Sequence, residues 1–394
     1  MAWLIIILQT AVVALMVSLP CAAATIWSAS LALEGRVYES PAQYVGQAGD
    51  TFSIRAKARY VHDWNNGRDV LTVSPTFSSD SADSRRDRLD MDELGWTHLM
   101  DNAELRLGWR KVFWGVAESN HLVDIINQTN LAENPNGESK LAQPMINIAL
   151  FSNYGTLDIF ALPGFRERTF PGTRGRFRGP LAVDVGAARY EASECNKHVD
   201  FAVRWSVGLG QLDIGVSHFH GTSREPTLLN GTARPVPYYP QIAQNALDLQ
   251  LTADALIWKL EAIRRTGNLQ SFYAAVGGIE YTFYGVLQDR TDVGVFLEYS
   301  HDTRGTSAAF GMDDDVFMGL RLVLNDSDAT EAMLGMVNDL NGDGRSLLIE
   351  ASRRMGENWK LYMEGRWMRS INRSDAIYPA RFDSYIQVGA EFYF

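Results

Sequence analysis

Apolar and polar residues alternate with a period of two in five separate stretches of this chain. Phe52, Ile54, Ala56, Ala58 and Tyr60 oppose Ser53, Arg55, Lys57 and Arg59. Ala103, Leu105, Leu107 and Trp109 oppose Glu104, Arg106, Gly108 and Arg110. Phe201, Val203, Trp205 and Val207 oppose Ala202, Arg204, Ser206 and Gly208. Leu247, Leu249 and Leu251 oppose Asp248, Gln250 and Thr252, and Leu361, Met363, Gly365 and Trp367 oppose Tyr362, Glu364, Arg366 and Met368. Successive strand side chains point to opposite faces. Each stretch therefore predicts a strand with one apolar face and one polar, mostly charged face, as in strands that separate lipid from water.

The last eight residues carry the same pattern to the chain end. Val388, Ala390, Phe392 and Phe394 share one face, and Gln387, Gly389, Glu391 and Tyr393 share the other. This end resembles the C-terminal assembly signal of bacterial outer-membrane β-barrels, with Gly389, Phe392 and Phe394 at its key positions. An ordinary terminal strand of a soluble sandwich is the alternative. The N-terminus agrees with the barrel. Met1 to Ala24 holds no charged side chain, Leu4 to Leu19 is mostly apolar, and Cys21 to Ala24 are small. This predicts a secretory signal peptide over residues 1–24, cleaved after Ala24. The apolar run is short of the roughly 20 residues a spanning helix needs. Pro20 before Cys21 makes a poor lipidation signal.

No later apolar run approaches the length of a membrane-spanning helix. An exported chain can then cross a bilayer only as a closed barrel. The 33 glycines and 11% aromatic residues suit tilted strands with interfacial girdles. The net charge of −11 argues against nucleic acid as a partner. Acidic residues concentrate in predicted outer loops such as Asp313-Asp314-Asp315. Once the signal is removed, Cys195 is the one cysteine left, so no internal disulfide forms.

Turn lengths alternate as well. Gly208 to Gly210, Asn325 to Ala329 and Gly356 to Asn358 read as short turns. Gly221 to Gln244, Asp302 to Asp315 and Asn372 to Asp383 read as long loops. Short periplasmic turns and longer outer loops predict an all-β, antiparallel transmembrane barrel of about 16 to 18 strands (range about 14 to 18), a single domain over residues 25–394. Two stretches do not read as strands. In 115–144, Leu122, Ile125 and Ile126 fall at helical spacing and predict a short helix, folded into the lumen or over the periplasmic mouth. The second stretch is Pro163 to Pro180.

Leu105-Arg106-Leu107-Gly108-Trp109-Arg110-Lys111-Val112-Phe113-Trp114-Gly115 resembles the Leu-Arg-x-Gly-Arg-Gln-x-x-x-Trp-Gly strand of porin-like outer-membrane proteins. These include alginate-export-like and related uncharacterised barrels. Trp109-Arg110 stands near the Arg-Gln of that pattern, and the likeness continues through Glu118 to Asn127 and on to Gln143-Pro144. It covers roughly residues 100 to 180 and the terminal strand. The resemblance implies a barrel and a pore, without a substrate.

Candidate chemistry follows the charge. Arg166, Arg168, Arg174, Arg176 and Arg178 cluster with Glu167 as their only acid. Arginine offers a fixed fork of donors to carboxylate and phosphate. Facing a pore, such a cluster favours anions. At the outer leaflet it would meet lipopolysaccharide phosphates, and in a loop it would only keep the segment solvated. With Arg55, Lys57, Arg59, Arg106 and Arg110 it forms the expected selectivity set. Asp339-Leu340-Asn341-Gly342-Asp343-Gly344, with Glu350 in the twelfth place, mimics a calcium loop. Ser346 occupies the eighth place, where such loops carry an aliphatic residue, and strands flank the segment. It reads as an outer hairpin loop, with adventitious calcium binding as the alternative, and no dedicated metal site is expected. Ser217, His218 and His220 raise the possibility of a hydrolase or a metal on the barrel wall, but no third ligand, nucleophile elbow or phosphate loop accompanies them. No catalytic residue and no cofactor are expected.

The expectation is a non-enzymatic channel of the bacterial outer membrane for passive passage of small polar or anionic solutes. Its partners would be outer-membrane lipid and lipopolysaccharide, the barrel-assembly machinery and the solutes. The alternatives are a barrel-wall lipid hydrolase, which needs Ser217 or another hydroxyl within reach of a histidine, and a plugged structural or adhesive barrel, which needs residues 116–143 to fill the lumen.

Overall fold

A computed structural model of the chain describes residues 24–267, 271–286, 290–308, 312–373, 375 and 377–394. The signal-peptide expectation lies outside the described residues, Ala24 excepted. The predicted alternation folds into one 18-stranded antiparallel sheet. Its strands are β1 (Thr25–Tyr38), β2 (Thr51–Trp64), β3 (Asp69–Asp80), β4 (Arg88–Leu99), β5 (Ala103–Arg110), β6 (Gln143–Ser152) and β7 (Gly155–Pro163). After a loop holding the two-residue β8 (Arg189–Tyr190) come β9 (Val199–Leu209) and β10 (Leu212–Thr222). The outlying β11 (Thr227–Asn230) and β12 (Pro235–Tyr239) pair with each other and with β8. The wall continues with β13 (Gln241–Ala253), β14 (Leu256–Gly267), β15 (Phe272–Gly285), β16 (Thr291–Asp302), β17 (Asp314–Val323), β18 (Glu331–Asp339), β19 (Arg345–Met355), β20 (Trp359–Arg369) and β21 (Tyr385–Tyr393).

Each wall strand pairs with the next, and β21 returns to β1, with Phe392 opposite Leu31 and Gly389 opposite Glu34. The ring therefore has no free edge, which is what a sheet in lipid requires. The N–H of Phe394 donates to Ala29 O at 2.9 Å, so the last residue belongs to the seam. Phe392 and Phe394 point outward and stack edge-on with each other and with Trp359, at centroid distances of 5.0 and 4.9 Å. Gly389 faces inward beneath the ring of Tyr362, where any side chain would collide with it.

The alternation of turn lengths holds. Residues 65–68, 100–102, 153–154, 210–211, 254–255 and 356–358 make short turns at the end that carries both termini. Residues 39–50, 111–142, 164–198, 223–240 and 370–384 make the long loops at the other end. Residues 340–344 also close a hairpin there, as expected of the calcium-loop mimic.

Candidate functional site

The loop over residues 111–142 turns back into the barrel from the long-loop end. Its entry is set by Gly115, whose φ is +136°. A Cβ at that position would sit 2.7 Å from Glu261 Oε1, so only glycine leaves room for the carboxylate. Glu261, on β14, then takes three backbone donors. The N–H groups of Val116 and Ala117 donate to Oε1 at 2.7 and 2.9 Å, and that of Val123 donates to Oε2 at 3.1 Å. Glu298, on β16, does the same one step along. It accepts the N–H groups of Glu118 and Ser119, each at 2.8 Å, and the Ser119 hydroxyl at 2.6 Å. Bonds to an ionised acceptor are about twice as strong as neutral ones.

At and on either side of these anchors the loop buries apolar side chains. Trp114, Val123, Ile125 and Ile126 are buried against Met145, Phe160, Leu162, Phe219, Ile242, Ile263 and Phe272 from the inward face of β6 to β15. The predicted helix over Leu122 to Ile126 does not form, because the segment runs in turns and bends. Its amides go to wall carboxylates or loop carbonyls instead of to an intrahelical ladder, so helical spacing here reflects burial on several sides. It folds into the lumen, one of the two places expected from the sequence, and it enters from the long-loop mouth.

The rest of the loop reaches the other wall. Asn134 donates to Glu364 at 3.2 Å, Glu118 pairs with Arg321 at 2.7 Å, and Glu133 pairs with Arg55 and with Arg86. Burial would push the Glu133 carboxyl up, but Arg55, Arg86 and Arg88 outweigh it and hold it below its ordinary range. Within the loop, His121 Nε2 stands 3.3 Å from Glu138 Oε1. Burial opposes the His121 cation. Glu138, with Glu261 and Asp124 behind it, more than compensates and raises the imidazole above its usual value. Glu138 is likewise buried, and His121 and Lys140 bring it below its own.

Two vestibules remain on the side of β17 to β21, β1 and β2. The outer one, about 590 Å³, is lined by His121, Glu138, Arg178, Asp315, Asp339 and Arg366 among others. The inner one, about 500 Å³, is lined by Arg55, Lys57, Glu118, Arg321, Lys360 and Glu391 among others. Between them a wall of charge runs along β19 and β20. Arg366 donates to Glu364 at 2.6 Å and lies 3.5 Å from Glu350.

The expected selectivity residues are scattered over this frame. Arg55 and Lys57 line the inner vestibule. Arg59 and Arg110 converge on Glu93 of β4, at 3.9 and 3.3 Å. Arg106 pairs with Glu104 at 2.6 Å and approaches Asp158 at 3.5 Å. The arginine stretch lies in the loop 164–198. Arg166 pairs with Asp90 at 2.9 Å, and Arg168 donates to Gln128 at 3.3 Å. Arg174 is exposed. Arg176 is buried, pairs with Asp383 at 2.7 Å and stacks 4.2 Å over Tyr38. Arg178 donates to the carbonyl of Thr173 at 2.7 Å and lines the outer vestibule. Ser217 is buried on the inward face, whereas His218 and His220 face outward, so the strand does not bring them together. His218 Nδ1 lies 2.9 Å from Asn245 Oδ1 instead.

Sequence reasoning missed Glu261 and Glu298, considered Glu350 only as the twelfth place of the calcium-loop mimic, and gave no role to Glu364 and Arg366. A signal for the first two existed. Glu261, between Leu260 and Ala262, is the lone acid on the inward face of β14, and Glu298, between Leu297 and Tyr299, is the acid in the middle of the inward face of β16, with Asp292 and Asp302 only at the strand ends.

No family model and no curated protein matches this chain. Solved structures do resemble it. The structure of OccK2 (OpdF) from Pseudomonas aeruginosa, in complex with glucuronate, aligns with a TM-score of 0.54 at 10% identity, over 94% of this chain and 97% of that one. A BenF-like porin from Pseudomonas fluorescens Pf-5 aligns at 0.53 and 9% identity, over 93% and 98%. Wzi from Escherichia coli, described as a carbohydrate-binding β-barrel involved in capsule assembly, aligns at 0.53 and 10% identity, over 92% and 84%. Taken with the closed 18-strand ring, these likenesses establish that the chain has the fold of porin-like bacterial outer-membrane β-barrels.

Proposed function

We propose that this chain is an outer-membrane channel through which small polar or anionic solutes pass by diffusion. The single observation that carries the reading is the division of the lumen. The loop 111–142 fills one side of the barrel and leaves two polar vestibules on the other, which face each other across Glu118, Glu350, Glu364 and Arg366. A lumen narrowed at one charged level is the geometry that discriminates among small solutes. Lys57 and Lys360 line the inner vestibule without an ion-pair partner among the described residues, which favours anions there. The glucuronate complex of OccK2 and the porin description of the BenF-like barrel support the same reading. Location in the outer membrane, with long loops outward, is part of the proposal.

The test is single-channel recording in a planar bilayer with protein refolded from denaturant. Discrete conductance steps, with a reversal potential in a salt gradient on the anion side, are expected. Absence of conductance in protein that shows heat-modifiable mobility would favour a plugged structural barrel, for which the apolar packing of residues 114–126 is the supporting observation.

A further inference from the structure

The calcium-loop mimic at Asp339 to Gly344 has a use that its spacing does not suggest. The ligand set implied by the spacing does not assemble. Asp343 turns away to accept the N–H groups of Ile371 and Asn372, at 2.9 and 3.1 Å, and the Ser370 hydroxyl at 3.2 Å. Glu350 lies inside the barrel on β19 near Arg366. A different set of carboxylates gathers at the same place. Asp315 on β17 is directly opposite Asp339 on β18, both facing the lumen. Like charges directly opposed on a sheet face repel. Asp375, on the loop 370–384, leans over the hairpin. Its Oδ2 and the carboxylate carbon of Asp339 each stand 3.2 Å from the point where a Cβ on Gly342 would lie. All three acids line the outer vestibule.

None of the three takes part in an ion pair among the described residues, although cations elsewhere in the lumen are nearly all paired. Asp315 is 3% and Asp375 8% exposed, and Oδ2 of each is buried with no hydrogen-bond partner. Buried unpaired carboxylate oxygens are costly. Asp339 uses Oδ1 for the N–H groups of Asn341 and Gly342, at 2.7 and 2.9 Å, and turns Oδ2 toward the same gap. The hairpin is made for close approach. Any side chain on Gly344 would run into Asp375, whose carboxylate carbon stands 2.9 Å from the position of its Cβ.

We propose that Asp315, Asp339 and Asp375 bind one calcium ion in the wall of the outer vestibule, tying the loop 370–384 to the β17–β18 edge. The oxygens are hard donors, and those of Asp315 and Asp375 are buried too deeply for an organic ammonium, so a monatomic cation is the class that fits. Calcium accepts irregular shells of six to eight oxygens with water among them, whereas magnesium demands a near-ideal octahedron. Among the described residues no three such side chains already stand close enough together to hold an ion unaided. The ion therefore draws Asp375, which is carried on a loop, onto the Asp315–Asp339 pair, and water completes its shell.

The experiment is calcium titration by calorimetry and by equilibrium dialysis. It uses full-length mature barrel refolded in detergent, free of lipopolysaccharide and stripped with chelator. One calcium per chain is expected, with a dissociation constant on the order of 10⁻⁴ to 10⁻³ M, the range of extracellular sites. Magnesium at equal concentration should compete at least tenfold less well. Asp375→Asn, in a loop outside the wall, should weaken binding at least tenfold and leave heat-modifiable mobility intact. Asp315→Asn should do the same where it folds. No saturable calcium uptake by the wild-type barrel, or uptake unchanged in Asp375→Asn, overturns the proposal. Channel conductance plays no part in either readout.

Discussion

The two sides of the lumen solve opposite problems with the same strand pattern. From β6 to β15 the inward face carries Phe160, Phe219, Ile242, Ile263 and Phe272, and the loop 111–142 packs on it as a second layer. From β17 round to β2 the inward face carries Arg321, Glu350, Glu364, Arg366, Arg55 and Lys57, and water-sized space remains. One half is a protein core enclosed by a barrel, and the other is a wet surface turned inside out. Period-two alternation alone does not distinguish them, because both are simply the face away from lipid. The chemistry of the inward residues decides which half a folded loop can occupy.

The largest effect should come from removing the grip that holds the two halves apart. Glu261→Ala strands the amides of Val116, Ala117 and Val123, at roughly 1 to 3 kcal/mol for each. The urea midpoint should fall sharply and conductance should rise as the loop leaves the lumen. Unchanged conductance in protein that still folds would mean that the apolar packing alone holds the loop. Next in size is Trp114→Ala in the packed half. Its ring meets Phe160 edge-on at 5.7 Å, and loss of a buried aromatic costs about 3 to 5 kcal/mol. Leu348→Ala, on the wall of the outer vestibule, should cost well under half of that. Equal losses measured at the two positions would erase the distinction between the halves.

Charge reversal should show the opposite bias. Lys57→Glu with Lys360→Glu, in the inner vestibule, should move the reversal potential several millivolts toward cations while leaving stability within about 0.5 kcal/mol, as for ordinary surface changes. Lys259→Gln should destabilise the packed half, where Lys259 pairs with Glu280 at 2.7 Å, and leave selectivity alone. A selectivity shift from Lys259→Gln instead would place the solute path on the wrong side.

The smallest effect is with pH. The His121–Glu138 pair bridges the loop beside the outer vestibule. His121 is raised, so its contribution is complete below the ordinary imidazole pKa of 6.5 and disappears as pH climbs through the raised value. Glu138 is lowered, so its contribution is present above 4.5 and disappears only as pH falls through the lowered value. Conductance noise should be lowest between those two limits and grow on the alkaline side. A His121→Gln variant should show the alkaline level at every pH, and a pH-independent wild type would mean that the His121–Glu138 pair does not steady the loop.

Much of the wall was legible in the sequence, and little of its contents. The outward apolar face, the closing strand at Gly389 to Phe394 and the order of short turns and long loops follow from local alternation. The folding of residues 111–142 was legible only as a failure of strand pattern, because their partners Glu261 and Glu298 lie more than a hundred residues away. The arginine stretch shows the same gap. Its composition suits an anion path equally well as the observed ties to Asp90, Asp383 and loop carbonyls. Those ties depend on which long loops meet over the mouth, a property of ring closure that no single segment encodes.

The grip on residues 116 to 123 also bears on how such a barrel can change. Five of its six bonds come from peptide amides and one from the Ser119 hydroxyl. A peptide amide is the same in nineteen of the twenty residue types. The position of the inward loop is thus written in two wall glutamates and one glycine, whereas the side chains it turns toward the vestibules can drift. Proline alone is forbidden at the gripped amides, because it has no proton to give. A barrel built this way can exchange the side chains that face its vestibules, generation after generation, without relearning where to put them.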